Sequence, residues 1–473
     1  MVEQDDLNPP MVGKGGPAAA ETDDSASAKV VLDQKVTIER VHISGLKRTK
    51  ADYIMDDVKP VFLTKSFVEA YQQSVLARNK LMSKGIFRDV DVLIDTTKAY
   101  EEHKEDGIQV LFEVKEKSNL CGEVKTEMSN QEKPRWVVRL VSPNVFGRGE
   151  TLSTSLCHTL YDAANMQLYE PNDFNTTFKK PFLNSVVQDI SASLYQEKKE
   201  CPWASYKDCS RGLSATMDFQ LMKLKHQIGV YSRWRELSSM NGSSFDVRKQ
   251  SGHSLKNSIL HSVSYSTMDK AILPKQGIIA KLTEEFAGIG GDVGFLKEQI
   301  ECKYVTTVAD KVTIEAAFNA GGMVALTGHK ANLNIDDKFF IGGPMNLRGF
   351  QLNRIGNREG PDYLGSTAYW VAGLHAYTPL PFSWKWSEGT WRDDVKMHFF
   401  ANAGNCFDFN YSRKMRGVWE DATTNVRASC GVGIVYRFMN SARFELNFCY
   451  PLRYQPKDMR SDRLQFGIGI SSV

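Results

Sequence analysis

Beyond about residue 119 this chain stops showing a helical hydrophobic period, and apolar side chains recur at every second position up to its last residues. Phe444, Leu446, Phe448 and Tyr450 share one face of such a segment, with Arg443, Glu445, Asn447 and Cys449 on the other. Ala428, Cys430, Val432, Ile434, Tyr436 and Phe438 oppose Arg427, Ser429, Gly431, Gly433 and Arg437 in the same way. Val312, Ile314, Ala316, Phe318 and Ala320 oppose Thr313, Glu315, Ala317 and Asn319. A soluble sandwich also alternates, with its apolar face turned inward. Here the segments run about 10 to 13 residues, and aromatics fall near their ends at Trp136, Trp203, Trp234, Trp370 and Tyr450, as an interfacial girdle requires. The pattern predicts an antiparallel transmembrane β-barrel over residues 119–473.

Alternating segments begin near residues 120, 134, 151, 174, 186, 211, 226, 253, 277, 292, 312, 368, 394, 426, 442 and 463, which makes 16 strands. An even number closes an antiparallel barrel with both chain ends on one side. The widest gap leaves a loop over about 327–367, and a loop that long in a compact architecture is usually functional.

Bulk composition limits the other classes. Mean hydropathy of −0.36 and 42% hydrophobic residues resemble a soluble protein, but a barrel that alternates lipid-facing and lumenal residues averages to the same value. No run of roughly 18 to 20 apolar residues exists, which excludes a helical membrane protein. A net charge of +3 makes no case for nucleic-acid binding. The eight cysteines are scattered without a C-x-x-C pair, and the nine histidines form no H-x-x-x-H or H-E-x-x-H pair. Free thiols, no metal and no cofactor are expected. No G-x-S-x-G elbow occurs, and the glycine-rich run Gly288–Gly294 lies between two strand patterns, so it reads as a hairpin turn rather than a phosphate loop. No catalytic residue is assigned. The sequons at Asn175, Asn241 and Asn410 carry no weight without a secretory signal.

Residues 1–35 read as a disordered acidic tail, with Glu3, Asp5, Asp6, Glu21, Asp23 and Asp24 against Lys14 and Lys29. They show neither the apolar core of a secretory signal nor an arginine-rich presequence, so the protein is expected either to stay in the cytosol or to be addressed by internal signals. Residues 36–118 follow a different grammar. An alternating strand over Val36–Ile43 ends at Gly45, and a helix over about Lys50–Phe62 is interrupted by Pro60. A second helix over about Lys65–Lys84 sets Phe67, Tyr71, Val75 and Leu81 near one face and closes on Gly85. Two further strands carry Val90, Val92 and Ile94, then Ile108, Val110, Phe112 and Val114. The order β-α-α-β-β suffices for a small two-layer α+β module.

In the long loop the chain reads Phe340-Ile341-Gly342-Gly343-Pro344-Met345-Asn346-Leu347-Arg348-Gly349-Phe350. Gly342-Gly343 followed by Arg348-Gly349-Phe350 resembles the signature of the outer-membrane barrel-assembly insertase superfamily, built from β-α-α-β-β polypeptide-transport-associated (POTRA) modules and a 16-stranded barrel. Further local matches are Gly45–Thr49, Gly85–Val90, Asn144–Glu150, Leu273–Gly277 and Phe399–Asn405. One module, no signal peptide and free thiols resemble the mitochondrial branch, the central barrel subunits of the sorting and assembly machinery.

That resemblance implies a membrane all-β fold, a place in the mitochondrial outer membrane with the POTRA module facing the intermembrane space, and insertion of precursor β-barrel proteins through a seam between first and last strands. It also implies partners: mitochondrial porin as a precursor, metaxin-type peripheral subunits, an inner-membrane cristae-organising complex and membrane lipid. A polypeptide-conducting channel and a membrane-contact or cristae scaffold remain as alternatives. Within the loop the resemblance assigns Gly342, Gly343, Arg348, Gly349 and Phe350, with Arg348 reaching an inward residue of the segment Lys396–Gly404; the alternative is an exposed loop arginine. Alternation puts Asn402 and Gly404 inward there, and Asn402 in place of an aspartate predicts a neutral hydrogen bond. Gln465, Gly467 and Ile470 resemble a carboxy-terminal β-signal, from which Ser472 departs. Gly467 and Gly469 either weaken the last strand or leave room for a lumenal loop.

Overall fold

The computed structural model describes residues 35–97, 107–127, 134–159, 173–182, 186–308, 311–326, 333–380, 394–408, 415–438 and 442–470. The acidic tail (save Lys35), Ser472 and the first residues of the long loop lie outside the described residues. The chain divides into two compact units, one ending at Ser118 with Phe146–Gly149 added, the other holding the remainder.

In the first unit β1 (Thr37–Ser44) is followed by α1 (Ala51–Val58), a 3-10 turn (Lys59–Leu63), α2 (Phe67–Ser83), β2 (Phe87–Thr96) and β3 (Gly107–Glu116). Pro60, which lacks an N–H, sits at the start of the 3-10 turn and ends α1. Ser66 caps α2 by accepting from Glu69 N, while the Glu69 carboxylate accepts from Lys65 N. Gly85 past the helix adopts φ +70°. The sheet order is β1-β3-β2, with β1 parallel and β2 antiparallel to β3, and Ile54, Val58, Val61, Val90, Val110 and Phe112 form the core. The buried stripe of α2 differs from the expected one: Ala70, Ser74, Ala77 and Leu81 face inward, while Tyr71 and Val75 stand at the surface. Small residues let the helix lie close on the sheet, so size rather than hydrophobicity selects its inner face.

The second unit is a 16-stranded antiparallel sheet. Its first half comprises β4 (Cys121–Glu127), β5 (Arg135–Pro143), β6 (Thr151–Thr159), β7 (Asp173–Pro181), β8 (Val187–Cys201), β9 (Tyr206–Leu221), β10 (Leu224–Ser239) and β11 (Gly252–Ser266). Then come β12 (Gly277–Gly291), β13 (Phe295–Val308) and β14 (Val312–Ala325), and, after the long loop with its small hairpin β15 (Arg358–Glu359) and β16 (Asp362–Tyr363), β17 (Ala368–Pro379). The sheet ends with β18 (Val395–Phe407), β19 (Arg427–Phe438), β20 (Ala442–Arg453) and β21 (Leu464–Ile470). Each strand pairs with its neighbour in the order β4 to β21, apart from the lumenal hairpin, and no β4–β21 ladder exists among the described residues. Gly288–Gly294 is the β12–β13 hairpin, with Gly290 and Gly291 at positive φ.

Burial runs opposite to that of a soluble sandwich. Leu446 and Phe448 on β20 are 45% and 47% exposed, whereas Glu445 and Asn447, which alternate with them, are fully buried. An outer wall of apolar side chains around a polar, filled interior is the arrangement of a transmembrane barrel. Trp203 departs from the girdle expected of it: it is buried and packs edge-on against Phe340 of the loop. The loop's own apolar surface captures it, which a strand-end position does not disclose.

Candidate functional site in the lumenal loop

The loop crosses the interior and is tied at two walls. At the first, Asn334 caps a 3-10 turn over Ile335–Asp337 by accepting from Asp336 N. The buried Asp337 carboxylate accepts from Arg235 Nη1 and Lys256 Nζ, each at 2.8 Å, and its backbone carbonyl accepts from Lys297 Nζ at 2.8 Å. Asp336 lies 3.6 Å from both Arg233 and Arg235. Buried charges survive when such partners replace water.

At the second wall stands the Gly-Gly and Arg-Gly-Phe segment. Gly342 and Gly343 take φ of +111° and +109°, and a Cβ on Gly342 would sit 2.5 Å from Gln351 O, so only glycine fits that turn. Phe350 is fully buried with Ile341, Leu347, Ile355 and Val371. Arg348 is not an exposed loop arginine: it is 2% exposed. Its Nε and Nη2 donate to Glu445 of β20 at 2.9–3.1 Å, its guanidinium lies 5.5 Å from the Phe400 ring centre, and its carbonyl accepts from Ser429 Oγ at 2.6 Å. Glu445 also pairs with Arg443 and accepts from Asn447 Nδ2, and Asn447 Oδ1 bonds His398, which bonds His375.

The expected partner of Arg348 is thereby corrected. Asn402 does face inward on β18, and it is buried beside Gly373, but neither atom of its amide makes a hydrogen bond. Gly404 is also buried, and a Cβ on it would fall 2.9 Å from Trp370 O and 3.1 Å from Val371 Cγ2. Two strands further on, Glu445 offers an ionised, bidentate acceptor, which a neutral amide cannot match.

The last strand holds the loop's backbone. Gln465 Oε1 accepts from Gly349 N at 3.0 Å, and its Nε2 donates to Phe350 O at 2.9 Å. A Cβ on Gly467 would fall 2.9 Å from Pro344 Cβ, and one on Gly469 would fall 2.7 Å from Met345 Cε. These contacts favour the reading in which both glycines make room for the loop. Ile470 ends β21, and its side chain lies outside the described residues. Sequence reasoning missed Glu445, Ser429, Asp336 and Asp337 as loop anchors. The signal for Glu445 was present, because a carboxylate on a lumenal face requires a cationic partner. Among the described residues all eight cysteines are free.

With this geometry in view, the comparisons decide the family. A model of the Omp85 superfamily domain matches residues 144–471. The chain belongs to the Omp85 superfamily. Within it, the sorting and assembly machinery component 50 (SAM50) homolog of Bos taurus is 37% identical over 455 residues, covering 95% of this chain and 93% of that protein. The Homo sapiens homolog is 36% identical with the same coverage. A SAM50-like protein of Drosophila melanogaster is 28% identical, covering 92% of this chain and 95% of its own length. This Omp85 chain also shares its fold with BamA from Haemophilus ducreyi lacking POTRA domains 1–3, at a TM-score of 0.72 and 15% identity over 92% of this chain and 85% of the other.

Proposed function

We propose that this chain folds and inserts precursor β-barrel proteins into the mitochondrial outer membrane. Membership of the Omp85 superfamily and likeness to sorting and assembly machinery components support the reading. The observation that carries it is the pair of bonds from the loop tip to the last two strands, Arg348 to Glu445 and Gly349–Phe350 to Gln465. Those strands end at an edge that finds no ladder with β4 among the described residues.

A precursor barrel has two open edges until it closes, and each unpaired backbone group in lipid costs several kcal/mol. A protein that lends its own β4 and β21 edges lets precursor strands add one at a time, as β-augmentation inside the bilayer. In this reading the loop holds β20 and β21 in register while the edge is occupied. The POTRA module faces the intermembrane space and receives precursors. Metaxin-type subunits bind at the cytosolic face, and contact with the inner-membrane cristae-organising complex is a second role.

Newly imported mitochondrial porin, followed into its native complex in mitochondria depleted of this protein, tests the reading. Wild type restores assembly, and Arg348→Ala at equal abundance stalls porin at an early intermediate. Porin that assembles without the protein overturns the proposal, and cristae defects alone would leave a scaffold.

A further inference from the structure

The outward faces of the later strands are apolar throughout: Ala428, Cys430, Val432, Ile434, Tyr436 and Phe438 on β19, then Phe444, Leu446, Phe448 and Tyr450 on β20. The wall formed by β10–β13 breaks this pattern. Glu285 and Lys297 point into the lumen, bonded to Lys256 and to Asp337 O, so their neighbours Glu284 and Glu298 point outward. Each interrupts an apolar band, Glu284 between Leu282 and Phe286, Glu298 between Leu296 and Ile300. They are direct cross-strand partners, and Glu284 is also the partner of His261 on β11. Like charges directly opposite repel, and a lipid-facing charge is costly, yet both occur here together.

A hydrogen-bonded track adds a second observation. The Glu284 carboxylate lies 3.1 Å from His261 Nδ1, and His261 Nε2 lies 3.3 Å from His226 Nδ1. His226 Nε2 is shut off from solvent and without a hydrogen-bond partner. Glu298 is exposed on the same wall. The imidazoles bond one another instead of converging, and no group of metal-ligating side chains is found among the described residues.

We infer that the outward wall of β10–β13 is a docking face for a membrane-embedded protein segment that presents a lysine or arginine to Glu284 and Glu298. A second copy meeting this wall with its two-fold axis at Glu284 and Glu298 would bring carboxylate against carboxylate, which disfavours that arrangement. β11 and β12 are the central pair of the strand order, farthest from both free edges, so an occupant here leaves those edges open. The inference does not depend on what those edges do.

The full chain in phosphatidylcholine vesicles is titrated with a photoreactive leucine–alanine helix of about 20 residues bearing one central lysine, and with the same helix bearing methionine. Crosslinks are mapped by mass spectrometry. The lysine helix is expected to crosslink to β12–β13 at a mole fraction about tenfold below the methionine helix, in line with a desolvated charge pair. Glu284→Gln with Glu298→Gln removes that preference, and Glu298→Lys transfers it to a helix bearing glutamate. Equal labelling by the lysine and methionine helices of the wild-type protein overturns the inference, as does a lysine preference that maps elsewhere or survives the double variant. The wild-type comparison stands even if a variant fails to fold.

Discussion

Arg348 and Glu445 are 97 positions apart in sequence and meet through three hydrogen-bond contacts of 2.9–3.1 Å, both side chains buried. Glu445 also holds Arg443, so the carboxylate neutralises two guanidinium groups and removing either side of the contact has unequal consequences. Arg348→Ala leaves Glu445 with Arg443 and Asn447, whereas Glu445→Gln takes from the buried Arg348 and the half-buried Arg443 the carboxylate that both pair with. We expect Glu445→Gln to destabilise by about 3–5 kcal/mol and Arg348→Ala by less. Thermal unfolding of the detergent-solubilised protein orders the two variants, and the reverse order contradicts this account.

Gln465 holds the loop backbone through one donor and one acceptor. Gln465→Met keeps the side-chain length but leaves Gly349 N–H and Phe350 C=O unpaired, at about 1–3 kcal/mol for each buried group. Hydrogen exchange over residues 345–352 is expected to accelerate while exchange in β10 and β11 stays unchanged.

The glycines of β21 distinguish room from flexibility. Gly467→Ala drives a Cβ into the rigid ring of Pro344, whereas Gly469→Ala meets only the mobile end of Met345. Gly467→Ala is therefore expected to loosen the loop, by protease accessibility, and Gly469→Ala to be tolerated. Equal effects of both would favour strand weakening as their purpose.

In the first unit, burial opposes ionisation of Glu116. Hydrogen bonds from the Thr49 hydroxyl and from the backbone N–H groups of Thr49, Lys47 and Arg48 outweigh it and hold the carboxyl down at about 2. A depressed folded-state value means that the stabilisation is present above the ordinary value of 4.5 and is lost as pH falls from there through about 2. Hydrogen exchange in β3 of the full chain should rise across that window, and Glu116→Gln should flatten the dependence.

Strand positions were legible because lumen and lipid impose a period of two that local sequence must obey. All sixteen strands begin within five residues of the expected points, the largest offset being β9, which starts at Tyr206 rather than near 211. The strand takes in Lys207 and Asp208, and in the barrel Asp208 is a lumenal partner of Arg233. The face of α2 was less legible, since alanine and serine bury through close approach rather than hydrophobicity.

The sequence by itself determined which residues face the lumen and where the long loop lies, and left Arg348 within it either partnered or exposed. Arg443, Glu445 and Asn447 already share one face by alternation, as Asn402 and Gly404 do on β18. Only the tertiary structure decided which of these inward groups Arg348 meets. Alternation assigns a side chain to a side of the wall, but the depth of the loop and the curvature of the sheet set distances between strands. A buried guanidinium then takes the carboxylate within reach, Glu445, over the neutral amide of Asn402.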